Sequence, residues 1–252
     1  MKKLSVVIIT LNEERNIARC LKSVSKIADE IVVLDSFSTD NTQKICSEFE
    51  VKFHQNKFDG HIQQKNKAIA LAENDLVFAL DADEAPNDTL INEIIKIKEN
   101  TDFDAYIFNR LTNYCGKWIK HSGWYPDKKL RIWNRTKGKW GGLNPHDKVI
   151  MDQSVKIKFL KGDLLHFSYY SIQQHIEQIN SFTNIGANEA FKKGRKSNLI
   201  IAVVKSFWKF IRDYFINLGV LDGYYGFVIC SLSAQATFIK YLKLRELIKN
   251  NK

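Results

Sequence analysis

The sequence predicts an α/β protein with a mostly parallel sheet and a helical C-terminal extension. Apolar runs rich in β-branched residues alternate with helical segments over about the first 100 residues. That alternation is typical of a parallel sheet covered by helices on both faces. Polar clusters follow three of the apolar runs, and the last quarter of the chain combines helical periodicity with basic residues. These observations define the fold class and direct attention to one edge of the sheet.

Individual elements can be placed from the spacing of the apolar residues. Leu4–Thr10 (LSVVIIT) is continuous and β-branched, as expected of a buried parallel strand. Asn12 is a suitable cap for the helix that follows. The other predicted strands are 30–34, 51–54, 76–80 and 105–111, and the later predicted helices are 42–49, 62–73, 88–99, 171–186 and 198–218.

Composition places the chain among ordinary globular proteins. Of its 252 residues 44% are hydrophobic and 26% are charged, which is enough for a full core. The four cysteines are scattered without a CxxC pair, which argues against a disulfide framework or a zinc site and fits a reducing cytosol. The apolar run after Lys2 and Lys3 is too short for a signal-peptide core, so we expect no targeting peptide.

The net charge of +10 is concentrated at one end of the chain. Residues 192–252 contain twelve lysines and arginines against three acids, so the preceding residues are nearly neutral. The charge pattern therefore divides the chain into a neutral body and a basic tail.

The stretch LVFALDADE has the features of a cation site at the end of a strand. The apolar run 76–80 leads directly into Asp81, Asp83 and Glu84. Burying a carboxylate is costly unless it is paired or bound to a metal. Asp81 and Asp83 are two residues apart, so on a continuing strand they share a face. Oxygen ligands of this kind suit magnesium or manganese shared with substrate phosphates.

Two further polar clusters, Thr10–Glu13 and Asp35–Asp40, follow the first two strands. Ligands of parallel α/β sheets bind beyond the carboxyl ends of the strands, where all three clusters are expected. An isolated Asp-x-Asp is more often a surface turn, but the coincidence of three clusters favours a ligand site. The sequence has no GxGxxG or GxxxxGK[ST], so neither a dinucleotide fingerprint nor a P-loop accounts for the three polar clusters.

Beyond residue 105 the sequence becomes rich in aromatic residues and glycine. Tyr114, Trp118, Trp124, Tyr125, Trp133 and Trp140 alternate with five glycines. Aromatic side chains among glycines are typical of surfaces that stack on sugar rings. A β-meander with a packed aromatic core is the equally open alternative.

Several of these segments together resemble the family 2 glycosyltransferases of GT-A fold. The matching segments are SVVIITLNEERNIARCLKSV, IVVLDSFSTDNT, GHIQQKNKAIA and LDADE, which occur in the family's order over about the first 110 residues. GWYPDKKLRIWNR and WGGLNPHDKV are similar to the subgroup that adds sugars during assembly of lipopolysaccharide core or related envelope glycans. The resemblance implies a Rossmann-like GT-A domain.

The resemblance also implies roles for residues at the sheet edge. Those implied to bind the nucleotide part of the donor are Thr10, Leu11, Asn12, Glu13, Asp35, Lys65 and Asp81. Asp83 would coordinate the Mg²⁺ or Mn²⁺ that bridges the two phosphates, and Asp40 would brace the loop. His146 would ligate the metal or contact the diphosphate, although a lone histidine is as often structural.

An inverting transferase needs one base for the proton of the acceptor hydroxyl. Asp127 is the first candidate, because D-x-x-L-R resembles the family's acidic motif before an arginine. Asp147 in PHDKV is the rival, and neither residue is the third possibility. Arg131 would bind phosphate or acceptor unless it is an ordinary surface arginine. Trp124 and Tyr125 are candidate acceptor platforms.

The basic tail combines apolar helical faces with lysine and arginine. The uncharged run 223–239 contains serines, a glutamine and a threonine, and it is shorter than the about 20 apolar residues of a spanning helix. An interfacial helix on an anionic membrane leaflet fits this composition. Packing of the helices on the catalytic body is the alternative. Nucleic-acid binding would also explain the charge, but no recognition motif accompanies it.

We therefore predict a metal-dependent, inverting hexosyltransferase that uses a nucleotide-sugar, UDP-glucose, and a membrane-held envelope glycan. Residues 1–165 would form the catalytic domain, with a nucleotide-binding half at 1–100 and an acceptor half at 101–165, and residues 166–252 a basic helical region. We expect it in the cytoplasm, peripheral on the inner face of the membrane. The alternatives are another nucleotide-sugar, a polyprenyl phosphate acceptor, or a non-catalytic scaffold that binds nucleotide-sugar.

Overall fold

The computed structural model describes residues 2–99, 102–143 and 146–251. The chain forms two compact units, Met1–Arg110 with Asp127–Phe167, and Leu111–Pro126 with Ser168–Lys252. The predicted boundary after residue 165 is close to the one after Phe167. Residues 111–126 group with the second unit, because their aromatic side chains pack among its helices, and the acceptor half at 101–165 stays a prediction.

The first unit is built on one large sheet. Its strands are β1 (Leu4–Thr10), β2 (Glu30–Asp35), β3 (Lys52–Gln55), β4 (Leu76–Asp81), β5 (Glu84–Pro86), β6 (Ala105–Tyr114), β8 (Asp127–Asn134) and β11 (Ile157–Tyr169). They follow the order β3-β2-β1-β4-β8-β6-β11-β5. Strands β1 to β4 pair in parallel, whereas β8 joins β4 in the antiparallel sense. The predicted α/β class is confirmed.

Helices cover both faces of this sheet. They are α1 (Ile17–Val24), α2 (Thr42–Cys46), α3 (His61–Ala70) and α4 (Asp88–Glu99). Alternate residues of β1 enter two different hydrophobic clusters, with Val6 in the cluster that contains α1 and Val7 in the cluster that contains Ala68 of α3. This alternation is the period of two expected when a strand is buried on both sides. A separate hairpin of β9 (Gly138–Leu143) and β10 (His146–Met151) completes the unit.

Some local predictions were wrong. Asn12 does not cap α1, because it adopts a left-handed backbone with φ of 54° and the helix begins five residues later, after Asn16. Helix α2 ends at Cys46, short of the predicted residue 49. The short strand β5 was not predicted, since its partner β11 is distant in sequence.

The second unit contains the short strand β7 (Lys117–Trp118) and the helices α5 (Ile172–Lys192), α6 (Leu199–Ile211) and α7 (Gly223–Asn250). Ser171 and Asn198 cap α5 and α6 by accepting hydrogen bonds from backbone amides. One π-helical and one 3₁₀ turn join α6 to α7. Helix α7 extends well past the predicted run, because Tyr241, Leu244, Leu247 and Ile248 continue it with apolar side chains that pack against α5.

No single helix among the described residues is long and apolar enough to cross a membrane. The segments Leu199–Ile216 and Gly219–Asn250 meet the length and hydropathy requirement only as a pair, with a 72° bend between them.

A buried aromatic cluster connects residues 111–126 of the second unit to the helices of that unit. Tyr114 contacts the rings of Trp124, Tyr169, His175 and Tyr225 at centroid distances between 5.3 and 5.8 Å. The Tyr114 hydroxyl lies 3.0 Å from Nδ1 of the buried His175. Trp124 thus takes part in a packed core, the alternative left open for the aromatic segment.

This cluster predicts a pH-dependent stability of the second unit. Burial lowers the pKa of His175 from 6.5 to about 4. The folded-state pKa of His175 is below its unfolded-state value. The free energy that the neutral, buried imidazole contributes to folding is therefore complete above the unfolded-state pKa and is lost as the pH falls towards the folded-state pKa. It amounts to at most about 3 kcal/mol. We expect the urea midpoint to fall more steeply over this range in the native protein than in His175→Gln. Equal slopes for the two proteins would contradict this prediction.

Candidate functional site

The ends of β1, β2 and β4 lie side by side. In the sheet register Thr10 pairs with Asp35, and Ile9 pairs with Asp81. The three predicted polar clusters therefore meet at one edge. Thr10 is buried, and its Oγ1 has no hydrogen-bond partner among the described residues, while Leu11 is half exposed.

The loops after β1 and β2 form one hydrogen-bonded wall. Oδ1 of Asn12 accepts from the amide of Thr39 at 2.8 Å, and the amide of Glu13 donates to Oγ1 of Thr42 at 2.8 Å. Asp35 accepts from the amide of Ser38 at 2.8 Å. The left-handed backbone at Asn12 permits this pairing, since Asn tolerates that conformation better than most residues. Asp40 braces the wall by accepting from the Glu14 amide at 3.0 Å.

A chain of ion pairs begins at the end of β4. Nζ of Lys65, on α3, lies 3.1 Å from Oδ1 of Asp81 and 2.9 Å from Oδ2 of Asp147. Nη2 of Arg131, on β8, lies 3.0 Å from both Oδ2 of Asp81 and Oε1 of Glu84. Lys65 and Arg131 are buried, so the loss of one charge in this chain would leave its partner as an unpaired buried charge.

The same chain continues to Asp127. Nη1 of Arg110 lies 3.5 Å from Oε1 of Glu84, and its Nη2 lies 2.9 Å from Oδ2 of Asp127. Nζ of Lys129 lies 3.0 Å from the other oxygen of Asp127. The network therefore runs without a break from Asp127 to Asp147, which are the two candidate bases.

The network determines the protonation of its central members. Burial alone would raise the pKa of Asp81, but the charges of Lys65 and Arg131 hold that pKa well below its usual range. The neighbouring carboxylates raise the pKa of Arg131 although burial opposes this. Asp81 is therefore a permanent anion that can accept hydrogen bonds from a ligand.

Trp140 supports both buried cations. Lys65 Nζ lies 4.5 Å from the centroid of its ring, and the guanidinium carbon of Arg131 lies 5.2 Å away. Asn66 holds the backbone of Trp140, because its side-chain nitrogen donates to the carbonyl of Trp140 and its side-chain oxygen accepts from the backbone N–H of Trp140. The ring of Trp140 is buried, which agrees with the packed aromatic core that the sequence pattern left open for this segment.

Asp83 has a different partner from Asp81. Oδ2 of Asp83 lies 3.1 Å from Nε2 of His166 on β11. The amide of Phe167 donates to the carbonyl of Asp83 at 2.9 Å, which fixes the turn after β4 against β11. Nδ1 of His166 is buried without a partner among the described residues. The Asp83 carboxylate and the His166 imidazole therefore lie side by side at the sheet edge.

These residues fit a divalent cation that takes its remaining ligands from substrate. Among the described residues no group of three or more His, Cys, Asp or Glu side chains forms a complete metal site. Magnesium is usually held by one or two carboxylates together with substrate phosphates and water. Burial raises the pKa of Glu13, a hydrogen bond from Asn16 partly opposes this, and the negative charges of Asp83 and Asp81 raise it further. A cation would relieve this excess of negative charge.

The geometry of this edge does not test three of the candidate residues. Trp124 and Tyr125 are half-buried residues of the second unit, so their role as acceptor platforms stays a prediction. His146 begins β10, but its side chain lies outside the described residues. Sequence reasoning missed Arg110 and His166, and a histidine or arginine on a strand gives no signal until its partner is known.

The comparisons with known proteins identify the family. The model of glycosyl transferase family 2 matches residues 5–194. The chain belongs to this family. An uncharacterised glycosyltransferase of Rickettsia typhi is 33% identical over 98% of this chain and 88% of its own length. Family 2 membership makes the protein a glycosyltransferase, and the predicted family resemblance is confirmed.

More distant similarities are also found. The lipopolysaccharide core biosynthesis glycosyltransferase LpsC of Rhizobium meliloti is 24% identical over 96% of this chain and 91% of its own. Residues 1–349 of S. aureus TarS, solved with UDP, are 16% identical over 99% of this chain and 92% of that one, with a TM-score of 0.47.

Proposed function

We propose that this family 2 enzyme transfers glucose from UDP-glucose to a lipopolysaccharide core or another envelope glycan, with inversion at the anomeric carbon. The observation that carries the proposal is the pairing of Asp83 with His166 beside the ionised Asp81, at the edge where the polar loops meet. The similarity to LpsC supports the class of acceptor. The choice of glucose as the sugar and of UDP as the nucleotide rests on the sequence resemblance.

Asp83 and His166 are the residues that would hold the cation. When bound, Mg²⁺ or Mn²⁺ would neutralise the negative charge that develops on the leaving diphosphate. Asp81, held ionised by Lys65 and Arg131, would accept a hydrogen bond from the ribose or from water. Thr10, Asn12 and Glu13 would line the nucleoside pocket with Leu11 and Asp35.

Asp127 is our choice of base. The acceptor hydroxyl oxygen forms a bond to the anomeric carbon, the bond from that carbon to the diphosphate oxygen breaks, and the hydroxyl proton passes to the Asp127 carboxylate. The side chain of Asp127 is 30% exposed and that of Asp147 is 12% exposed. The greater accessibility of Asp127 supports this choice. Asp147 is held by Lys65 and would serve to position it.

The acceptor class implies a location. A glycan under assembly on a lipid is held at the membrane, so we propose that the enzyme acts as a peripheral protein on the cytoplasmic face. The concentration of basic residues after residue 192 supports this, because anionic lipids attract lysine and arginine.

Thermal stability with nucleotide-sugars tests the proposal first. A ligand that binds only the folded state at about 100 times its Kd stabilises it by about 2.7 kcal/mol. We expect UDP-glucose with Mn²⁺ to raise the Tm by several degrees, and UDP-glucose without the metal to raise it less. UDP-galactose, UDP-GlcNAc and GDP-mannose measured in parallel rank the donors.

The same experiment identifies the alternatives. A shift with another nucleotide-sugar would replace the donor and keep the reaction class. Absence of a shift with all four compounds would contradict the nucleotide-sugar site. A shift without turnover on any acceptor would point to the non-catalytic scaffold.

A further inference from the structure

Helix α6 presents an apolar stripe to solvent. Ile200, Val203, Val204, Phe207 and Trp208 are all more than half exposed, with Ile200 at 73% and Phe207 at 67%. Ala202 is the buried residue of this helix. Large apolar side chains scattered singly on a surface are ordinary, but a contiguous set marks a binding surface.

The spacing places these side chains on one face of α6. Positions 200, 203, 204, 207 and 208 follow the i, i+3, i+4, i+7 and i+8 pattern of a single helical stripe. The face that packs on α7 is a different one, because Ser206 Oγ donates to the carbonyl of Ala234 on α7 at 2.7 Å. Among the described residues of its unit, none covers the α6 stripe, whose side chains stay more than half exposed. After the helix, Leu221 and Tyr224 are also largely exposed.

The surroundings of the α6 stripe are basic. Lys205, Lys209 and Arg212 lie on the same helix or the turn after it. Two of the three acids in residues 192–252, Asp213 and Asp222, are buried at 2% exposure, so the solvent-facing charge of this segment is positive. Asp213 pairs with Lys209 and Arg212, whereas Lys205 is exposed. This charge complements an anionic surface.

An apolar groove lies beside the stripe. It has a volume of about 470 Å³ between α6 and α7, and Val203 and Phe207 of the stripe form part of its wall together with Phe210 and Phe238. Acyl chains could fill such a groove, whereas a purely electrostatic partner would leave it unused.

We propose that the α6 stripe docks in the plane of a lipid bilayer with anionic headgroups. Ile200, Phe207 and their neighbours enter the boundary between headgroups and acyl chains, and Lys205 contacts the headgroups. Trp208 suits this depth, because indole combines an apolar body with one polar N–H. The inference rests on the proposed function only in that a membrane-held acceptor would be brought to the enzyme.

Vesicle co-sedimentation of the full chain tests the surface without donor or acceptor. We expect binding to vesicles of phosphatidylcholine mixed with phosphatidylglycerol, weaker binding to phosphatidylcholine alone, and weakening by salt. The double variant Phe207→Ser with Trp208→Ser should reduce partitioning by about ten- to a hundredfold. Phe159→Ser, at an exposed phenylalanine of the first unit, is the matched control and should bind as the native chain does.

Fluorescence locates the bound helix. Lipids brominated on their acyl chains should quench Trp208, and the quenched component should be missing from Trp208→Phe. The other four tryptophans, of which Trp133 and Trp140 are buried and Trp118 and Trp124 half-buried, supply the background that the Trp208→Phe variant measures. Equal binding by the double variant and the native chain would overturn the proposal. Absence of native binding to both kinds of vesicle would also overturn it.

Two other outcomes would replace the proposal, the first with deeper insertion into the membrane and the second with a different binding partner. Retention on vesicles after an alkaline, high-salt wash would indicate insertion of the bent α6–α7 pair. A native dimer that the double variant converts to monomer, with no vesicle binding, would assign the stripe to self-association. The nucleotide-sugar Tm shift of the double variant separates this test from that of the proposed function, since it should match the native shift.

Discussion

Replacing Asp83 by asparagine is expected to lower the rate of sugar transfer by about 10²- to 10³-fold. The amide has the shape of the carboxylate but not its charge, so the cation held with His166 would lose its anionic ligand. The backbone bond from Phe167 to Asp83 does not involve the side chain, so the turn should remain folded. The measurement is kcat over a range of Mn²⁺ concentrations at saturating UDP-glucose, together with the Tm without ligand.

Asp75→Asn is the matched control. Asp75 immediately precedes β4, whereas Asp83 follows the strand, and its side chain is 68% exposed. The control should keep its rate and its metal requirement. Native turnover by Asp83→Asn at every Mn²⁺ concentration would refute the assignment of Asp83, and a loss equal to that of Asp75→Asn would show only a general effect of charge.

The parallel half of the fold could be predicted because its signals are local. Strand β1 has the predicted bounds, Leu4–Thr10, since a continuous β-branched run needs no distant partner to be identified. The edge position of the polar clusters followed from the rule for parallel sheets, and the register of Thr10 with Asp35 agrees with it. Buried runs and strand ends are therefore readable from the sequence of this family.

Elements that depend on distant partners could not be predicted. Strand β5 has three residues and exists through pairing with β11, in which Glu84 aligns with His166. The start of α1 was misplaced because Asn12 bonds across to Thr39 of another loop instead of capping the helix. In both cases a contact between distant segments overrides the local preference.

The same limit applies to the candidate site. Sequence patterns named Asp81 and Asp83, because carboxylates after a strand stand out, and the family resemblance of D-x-x-L-R named Asp127. They did not reveal that Arg110 links Asp127 to Glu84, since the three residues come from three different strands. The protonation of the site depends on these pairings, so sequence patterns identify the candidate residues but not their electrostatic roles.

Asp127→Asn is expected to lower kcat by about 10²- to 10⁴-fold, the range for loss of a general base. The substituted amide would keep the volume of the side chain, and Glu84 would still pair with Arg110, so donor binding should change little. The measurement is kcat for transfer together with the Tm shift produced by UDP-glucose and Mn²⁺. A reduced rate with an unchanged shift separates loss of the base from loss of the donor site.

Asp147→Asn is the informative comparison, because both variants remove one carboxylate from an end of the same ion-pair network. Asp147 contacts the buried Lys65, which also pairs with Asp81, so its loss should weaken donor binding or lower the Tm more than it lowers kcat. A larger loss of kcat in Asp147→Asn than in Asp127→Asn would exchange the two roles. Comparable small losses in both would mean that neither carboxylate takes the proton, and the base would then lie outside this network.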